Sequence, residues 1–288
     1  MASTIELCGL SAAVYKDGVP IPSGWDELEG GEFTPPSGLY GQAYIKGREI
    51  VLAFRGTIDS SSDYEADKQI ALWGTSPYFD DAKNFYNVII ANHKNKEFRD
   101  VFQYKICIAG HSLGGALAQF LAWNMHIDFK SRYPRNVRPS VQTETFNAPG
   151  IRQMGYNVGH PLTINLINHM RYNDFAASIG SHVGQCWYYD RRTFTSGPSD
   201  KTFIDKAIRT ISPLVSALKD SAEDVAGDIG IQHSINLFYE DLIDGQKHKE
   251  AIYQGTPTND SDEADDIAAD IAAGQQVINS QGPFTWMR

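Results

Sequence analysis

One serine in this chain occupies a setting in which a hydroxyl can act as a nucleophile. Ser112 lies in Gly110-His111-Ser112-Leu113-Gly114. The apolar run Ile106-Cys107-Ile108-Ala109 leads into it, and Gly115-Ala116-Leu117-Ala118 continues past it. A β-branched strand that passes through glycines straight into a helix forces the serine onto a tight turn. The small flanking residues let strand and helix approach closely and hold the hydroxyl above the sheet. The N–H groups of a helix's first turn have no partner within the helix and carry partial positive charge, so an oxyanion forming beside Ser112 would find a donor in Leu113 N–H. The chemistry implied is attack of a hydroxyl on an acyl carbon.

A serine hydroxyl is a weak nucleophile at neutral pH and needs an imidazole to take its proton and a carboxylate to orient that imidazole. When the serine sits on a strand-to-helix turn, the acid and then the base follow it in the chain. Asp174 fits the acid, just after the apolar run Thr163-Ile164-Asn165-Leu166-Ile167. Glu144, within an earlier strand, and Asp190, at the end of a later one, are rivals placed less well. The histidines beyond Asp174 are His182, His233 and His248. His248 lies in a polar stretch rich in lysine, and His182 is close to Asp174 in sequence. His233, which precedes Ser234-Ile235-Asn236-Leu237-Phe238-Tyr239, is preferred as the base. A hydrogen-bonded surface histidine is the alternative for it. His111 is read as structural or as support for the oxyanion.

These residues have to be positioned by alternating short apolar runs and longer amphipathic ones, the pattern of a mainly parallel sheet flanked by helices. Strands are expected at 41–45, 49–54, 104–109, 141–146, 163–169 and 185–189, and helices at 80–93 and 113–125. Residues 1–40 read as a turn-rich prelude with a short helix at 6–15, regular structure resuming at Tyr40. Residues 201–231 repeat apolar side chains at helical spacing around Pro213. They form either a cap over the site or a helix packed on the core. From 255 to 288 the chain reads as an acidic, peripheral tail. The expected organisation is one domain over 1–254 followed by that tail.

The chain has 288 residues, 42% hydrophobic and 21% charged, with a formal charge of −10. That size supports a core without covalent staples. The charge argues against a nucleic-acid partner. The three cysteines share no short spacing and are expected to be buried free thiols. No run reaches membrane-spanning length, so no transmembrane segment is expected. The opening Met1-Ala2-Ser3-Thr4-Ile5-Glu6 has neither the basic leader nor the apolar stretch of a secretory signal. The expectation is a cytoplasmic protein or one exported by a signal-less route. No metal or organic cofactor is expected, since His and carboxylate clusters with ligand-like spacing are missing from the sequence.

With Ser112, Asp174 and His233 in view, the chain resembles the class 3 lipases, the family of the fungal triacylglycerol lipases and related bacterial phospholipases A. Four blocks carry the resemblance. They are Leu52-Ala53-Phe54-Arg55-Gly56-Thr57, the turn from Gly110 to Ala118, Phe146-Asn147-Ala148-Pro149-Gly150, and Arg171-Tyr172-Asn173-Asp174 followed by Gly180-Ser181-His182-Val183-Gly184. The resemblance implies an α/β-hydrolase fold and a lipid ester as substrate, with transient contact at a lipid interface. It also implies that Thr57 supplies the second oxyanion donor beside Leu113. The stretch Ser62-Asp63-Tyr64-Glu65-Ala66-Asp67 has Tyr64 where the family often has tryptophan, and it offers little of the apolar surface of an oil-opening lid. Residues 73–79 or 201–231 are substitutes for that lid. Two other functions stay open: a short-chain carboxylesterase or thioesterase, and a non-catalytic lipid-binding protein on a hydrolase fold.

Overall fold

A computed structural model describes residues 1–57 except 17, residues 78–94, 105–132 and 141–151, residues 164–189 except 172, 173, 175 and 179, and residues 234–244 and 250–253. Among these residues, eight strands form one sheet in sequence order. They are β1 (Asp26–Phe33), β2 (Gly41–Lys46), β3 (Glu49–Phe54), β4 (Lys105–His111), β5 (Val141–Phe146), β6 (Leu166–Arg171), β7 (Gln185–Tyr189) and β8 (Glu250–Tyr253). From β3 to β7 every pairing is parallel, while β1, β2 and β8 pair antiparallel at the two margins. The helices are α1 (Thr4–Ala13), α2 (Tyr78–Lys94), α3 (Leu113–Arg132) and α4 (Ile235–Ile243). This is the mainly parallel, helix-flanked sheet of an α/β-hydrolase.

Alternation along the central strands divides the core in two, because successive side chains leave a strand on opposite faces. Ile50, Leu52, Phe54, Ile106 and Ile108 pack with Phe79, Phe85, Leu117 and Leu121 of α2 and α3. Val51, Ala53, Cys107, Ala109 and Phe146 pack with Leu7 and Leu10 of α1 and Phe238 and Leu242 of α4. The parallel strands are covered on both faces, as strands of this composition require. All three cysteines are buried and free.

α1 begins at a reciprocal cap: the Ser3 hydroxyl accepts from Glu6 N–H, and the Glu6 carboxylate accepts from Ser3 N–H at 2.8 Å. Burial works to raise the Glu6 carboxyl, but hydrogen bonds from Lys46, the Ser3 amide, Trp25 and the Ser3 hydroxyl take it down to about 2.

One expectation is corrected. Residues 26–33 are a strand, not part of a loop, and regular structure begins well before Tyr40. β1 is an acidic edge strand with only Leu28 and Gly31 buried, and its register slips between Glu27 and Glu32 around Gly30 at φ 68°. An exposed, bulged edge needs no apolar alternation, so its residues read as turn. At the opposite margin, 250–253 form the edge strand β8. Residues 201–231 and 255–288 lie outside the described residues, as do 58–77, which include most of the segments considered for a lid. Tyr78 and Phe79, at the end of one such segment, are core: Phe79 stacks on Phe120 with ring centroids 4.0 Å apart. Among the described residues, no helix is long and apolar enough to cross a membrane.

Candidate active site

Ser112 joins β4 to α3 with φ 56°, in the left-handed region that a non-glycine residue enters only at a cost of order 1 kcal/mol or more. The surroundings hold it there. Its N–H donates to Phe146 O on the neighbouring strand at 3.1 Å, and its carbonyl accepts from Gly115 N–H and Ala116 N–H as α3 begins. The glycines of the motif are dictated by close approach: a Cβ on Gly110 would lie 2.3 Å from Gly114 O, and one on Gly114 would lie 2.2 Å from Phe54 O. The second of these contacts seats the first turn of α3 against the end of β3.

That seating brings the Arg55-Gly56-Thr57 turn to Ser112. A Cβ on Gly56 would lie 2.7 Å from His111 O and 3.0 Å from Ser112 Cβ. Thr57, half-buried, is the next residue, and buried Leu113 opens α3 on the other side of Ser112. The two proposed oxyanion donors thus flank the same serine.

Asp174 follows β6 at the carboxyl edge of the sheet, the edge on which Ser112 follows β4. Its carboxylate is buried, with Oδ1 accepting from Ala177 N–H at 2.7 Å, while its own N–H donates to Arg171 O. The strand end before it is pinned to β5: Arg171 N–H donates to Asn147 Oδ1, and Asn147 N–H donates to His169 O. His233 lies outside the described residues. Its neighbour Ser234 is buried and caps α4, its side chain accepting from Leu237 N–H at 3.3 Å.

The remaining motif blocks are scaffolding for this edge. His182, the rival base, is buried and donates from Nε2 to Ala148 O at 2.8 Å, which commits that nitrogen to the 146–150 loop. Gln119 of α3 joins the same two loops, donating to Pro149 O and accepting from Val183 N–H. A Cβ on Gly150 would lie 2.4 Å from the Ser181 backbone.

A second polar cluster was not foreseen from sequence. Glu144 Oε2 is hydrogen-bonded to His169 Nε2 at 2.9 Å, and His169 Nδ1 to the Tyr189 hydroxyl at 2.9 Å. Arg171 pairs with Asp241 and lies over the Phe238 ring. The imidazole stacks on Phe146 at 5.0 Å, in the core shared with α1 and α4. Burial raises the Glu144 carboxyl, yet hydrogen bonding and charge interaction with His169, together with hydrogen bonds from Gln142 and Thr4, bring it below the ordinary value. This carboxylate–imidazole–hydroxyl chain ends on a phenol within the core rather than on the exposed edge. Its signal in the sequence was polar residues inside strand-like runs. Among the described residues, no group of three or more His, Cys, Asp or Glu side chains is arranged to hold a metal ion.

Residues 51–177 match the lipase (class 3) family. Over this stretch the chain is similar to that family. The segment contains Gly56, Thr57, Ser112 and Asp174, and the match supports a carboxylic ester hydrolase of the lipase type. No curated protein sequence matches the chain. Among solved structures, Lip2 lipase from Yarrowia lipolytica is similar at 16% identity and a TM-score of 0.44, over 65% of this chain and 77% of that one. Lipase II from Rhizopus niveus is similar at 18% identity and a TM-score of 0.43, over 65% and 82%. The Rhizomucor miehei lipase–propeptide complex gives 16% identity and a TM-score of 0.41, over 65% and 70%.

Proposed function

We propose that this class 3 lipase relative hydrolyses lipid esters, as a lipase or phospholipase A, through an acyl-enzyme on Ser112. His233 removes the serine proton, Asp174 orients the imidazole, and the hydroxyl attacks the ester carbonyl. Leu113 N–H and the Thr57 backbone N–H donate to the oxyanion. The proton then passes from His233 to the leaving alcohol, and water repeats the sequence to release the acid. The observation that carries this reading is the left-handed serine at a strand-to-helix junction with the Gly56–Thr57 turn against it. The protein meets its substrate transiently at a lipid surface.

A panel of short-chain esters, long-chain glycerides and phospholipids tests the substrate class. Long-chain glycerides or phospholipids are expected to turn over faster than short-chain esters. A strict preference for short-chain esters would make it an esterase instead. Ser112→Ala is expected to fold and to lose activity by several orders of magnitude.

A further inference from the structure

Outside the residues assigned above, one side chain touches both halves of the site. The Tyr15 hydroxyl, from the turn that ends α1, accepts a hydrogen bond from Gly56 N–H at 2.9 Å. The same oxygen is hydrogen-bonded to His111 Nδ1 at 2.8 Å, and the two rings meet edge to face at a centroid distance of 5.9 Å. Gly56 immediately precedes Thr57, and His111 immediately precedes Ser112. One atom therefore joins the residue before the proposed oxyanion donor to the residue before the proposed nucleophile.

We propose that Tyr15 is a positioning residue for ester hydrolysis, its hydroxyl fixing the Gly56–Thr57 turn at the distance from Ser112 that oxyanion stabilisation requires. The proposal rests on the reading of Ser112 as nucleophile and Thr57 as donor. Oxyanion stabilisation depends on donors held in place before charge develops, and it decays when they drift by a fraction of an ångström. The Gly56–Thr57 turn leaves β3 at the sheet edge, and its peptide planes need an anchor outside the strand ladder. Tyr15 supplies one from a rigid base. The chain leaves α1 through Tyr15 N–H to Ala12 O and Lys16 N–H to Ala13 O, and α1 itself is packed into the core shared with α4. A phenol suits the task because a hydroxyl accepts and donates at one point, and phenylalanine keeps the ring while deleting both bonds.

The test compares wild type with Tyr15→Phe by thermal melting, by fluorophosphonate labelling and by kcat and KM on a soluble nitrophenyl ester. A bystander tyrosine would alter stability alone. The expected result is a melting temperature close to wild type, KM within about threefold, and kcat lower by roughly tenfold or more, since transition-state donors act on kcat. A folded Tyr15→Phe with wild-type kcat overturns the proposal. If that variant does not fold, His111→Gln carries the test by altering the other arm of the bridge: lowered kcat at constant KM supports it and unchanged kcat overturns it. Failure of the wild-type protein to label at Ser112 instead overturns the reading beneath it, an outcome distinct from a kinetic null in a labelled enzyme.

Discussion

A methyl group on Gly56 would lie 3.0 Å from the Cβ of Ser112, closer than side chains at neighbouring loops ordinarily pack. Ser112 and the turn that precedes Thr57 are thus closely packed, and no residue larger than glycine fits between them. Gly56→Ala adds that methyl at 2.3 Å from the Tyr15 hydroxyl and 2.7 Å from His111 O, so the turn has to move. The expected outcome is a loss of kcat on the order of 100-fold with a stability cost of about 1–3 kcal/mol. Steady-state kinetics with a thermal melt check it. A fully active Gly56→Ala would mean that the turn takes no part in catalysis.

Asp174→Asn separates orientation from folding. The amide oxygen retains an acceptor for Ala177 N–H, so the short turn at 176–178 is expected to persist and the protein to melt near the wild-type temperature. The charge that stabilises the imidazolium is lost, and kcat is expected to fall by roughly 1,000-fold or more. Retention of wild-type kcat in the folded variant would move the acid to another residue.

Glu144→Gln addresses the core cluster rather than the chemistry. It replaces the carboxylate facing His169 with a neutral amide, and the expected loss is about 1–3 kcal/mol, read by denaturant unfolding near neutral pH. Folding lowers the Glu144 carboxyl below its ordinary value of 4.5, so the stabilisation it gives is present above that value and fades as pH falls below it. Wild type and Glu144→Gln should therefore converge in stability as the solution is acidified. A constant gap down to pH 3 would contradict this account of Glu144.

Much of this was written in the sequence. Ile106 to Ala109 and Leu52 to Phe54 are apolar because both faces of a parallel strand are covered, and that continuity made the central strands readable. Ser112 was readable because close approach admits only small residues around it. β1 was not, since an exposed antiparallel edge needs little apolar patterning. Ser3-Thr4-Ile5-Glu6 carried a capping-box signature that places the start of α1 two residues earlier than its apolar pattern does. The Tyr15 bridge and the pairing of Glu144 with His169 depend on which strands and loops become neighbours, and no local spacing encodes that.

Reaction of the wild-type protein with a fluorophosphonate, followed by mass spectrometry of its peptides, tests the serine mechanism most directly. The adduct is expected on Ser112, with loss of long-chain ester hydrolysis in proportion to labelling and no adduct on Ser112→Ala. Ester turnover that survives complete modification of Ser112, or that persists in Ser112→Ala, would contradict it.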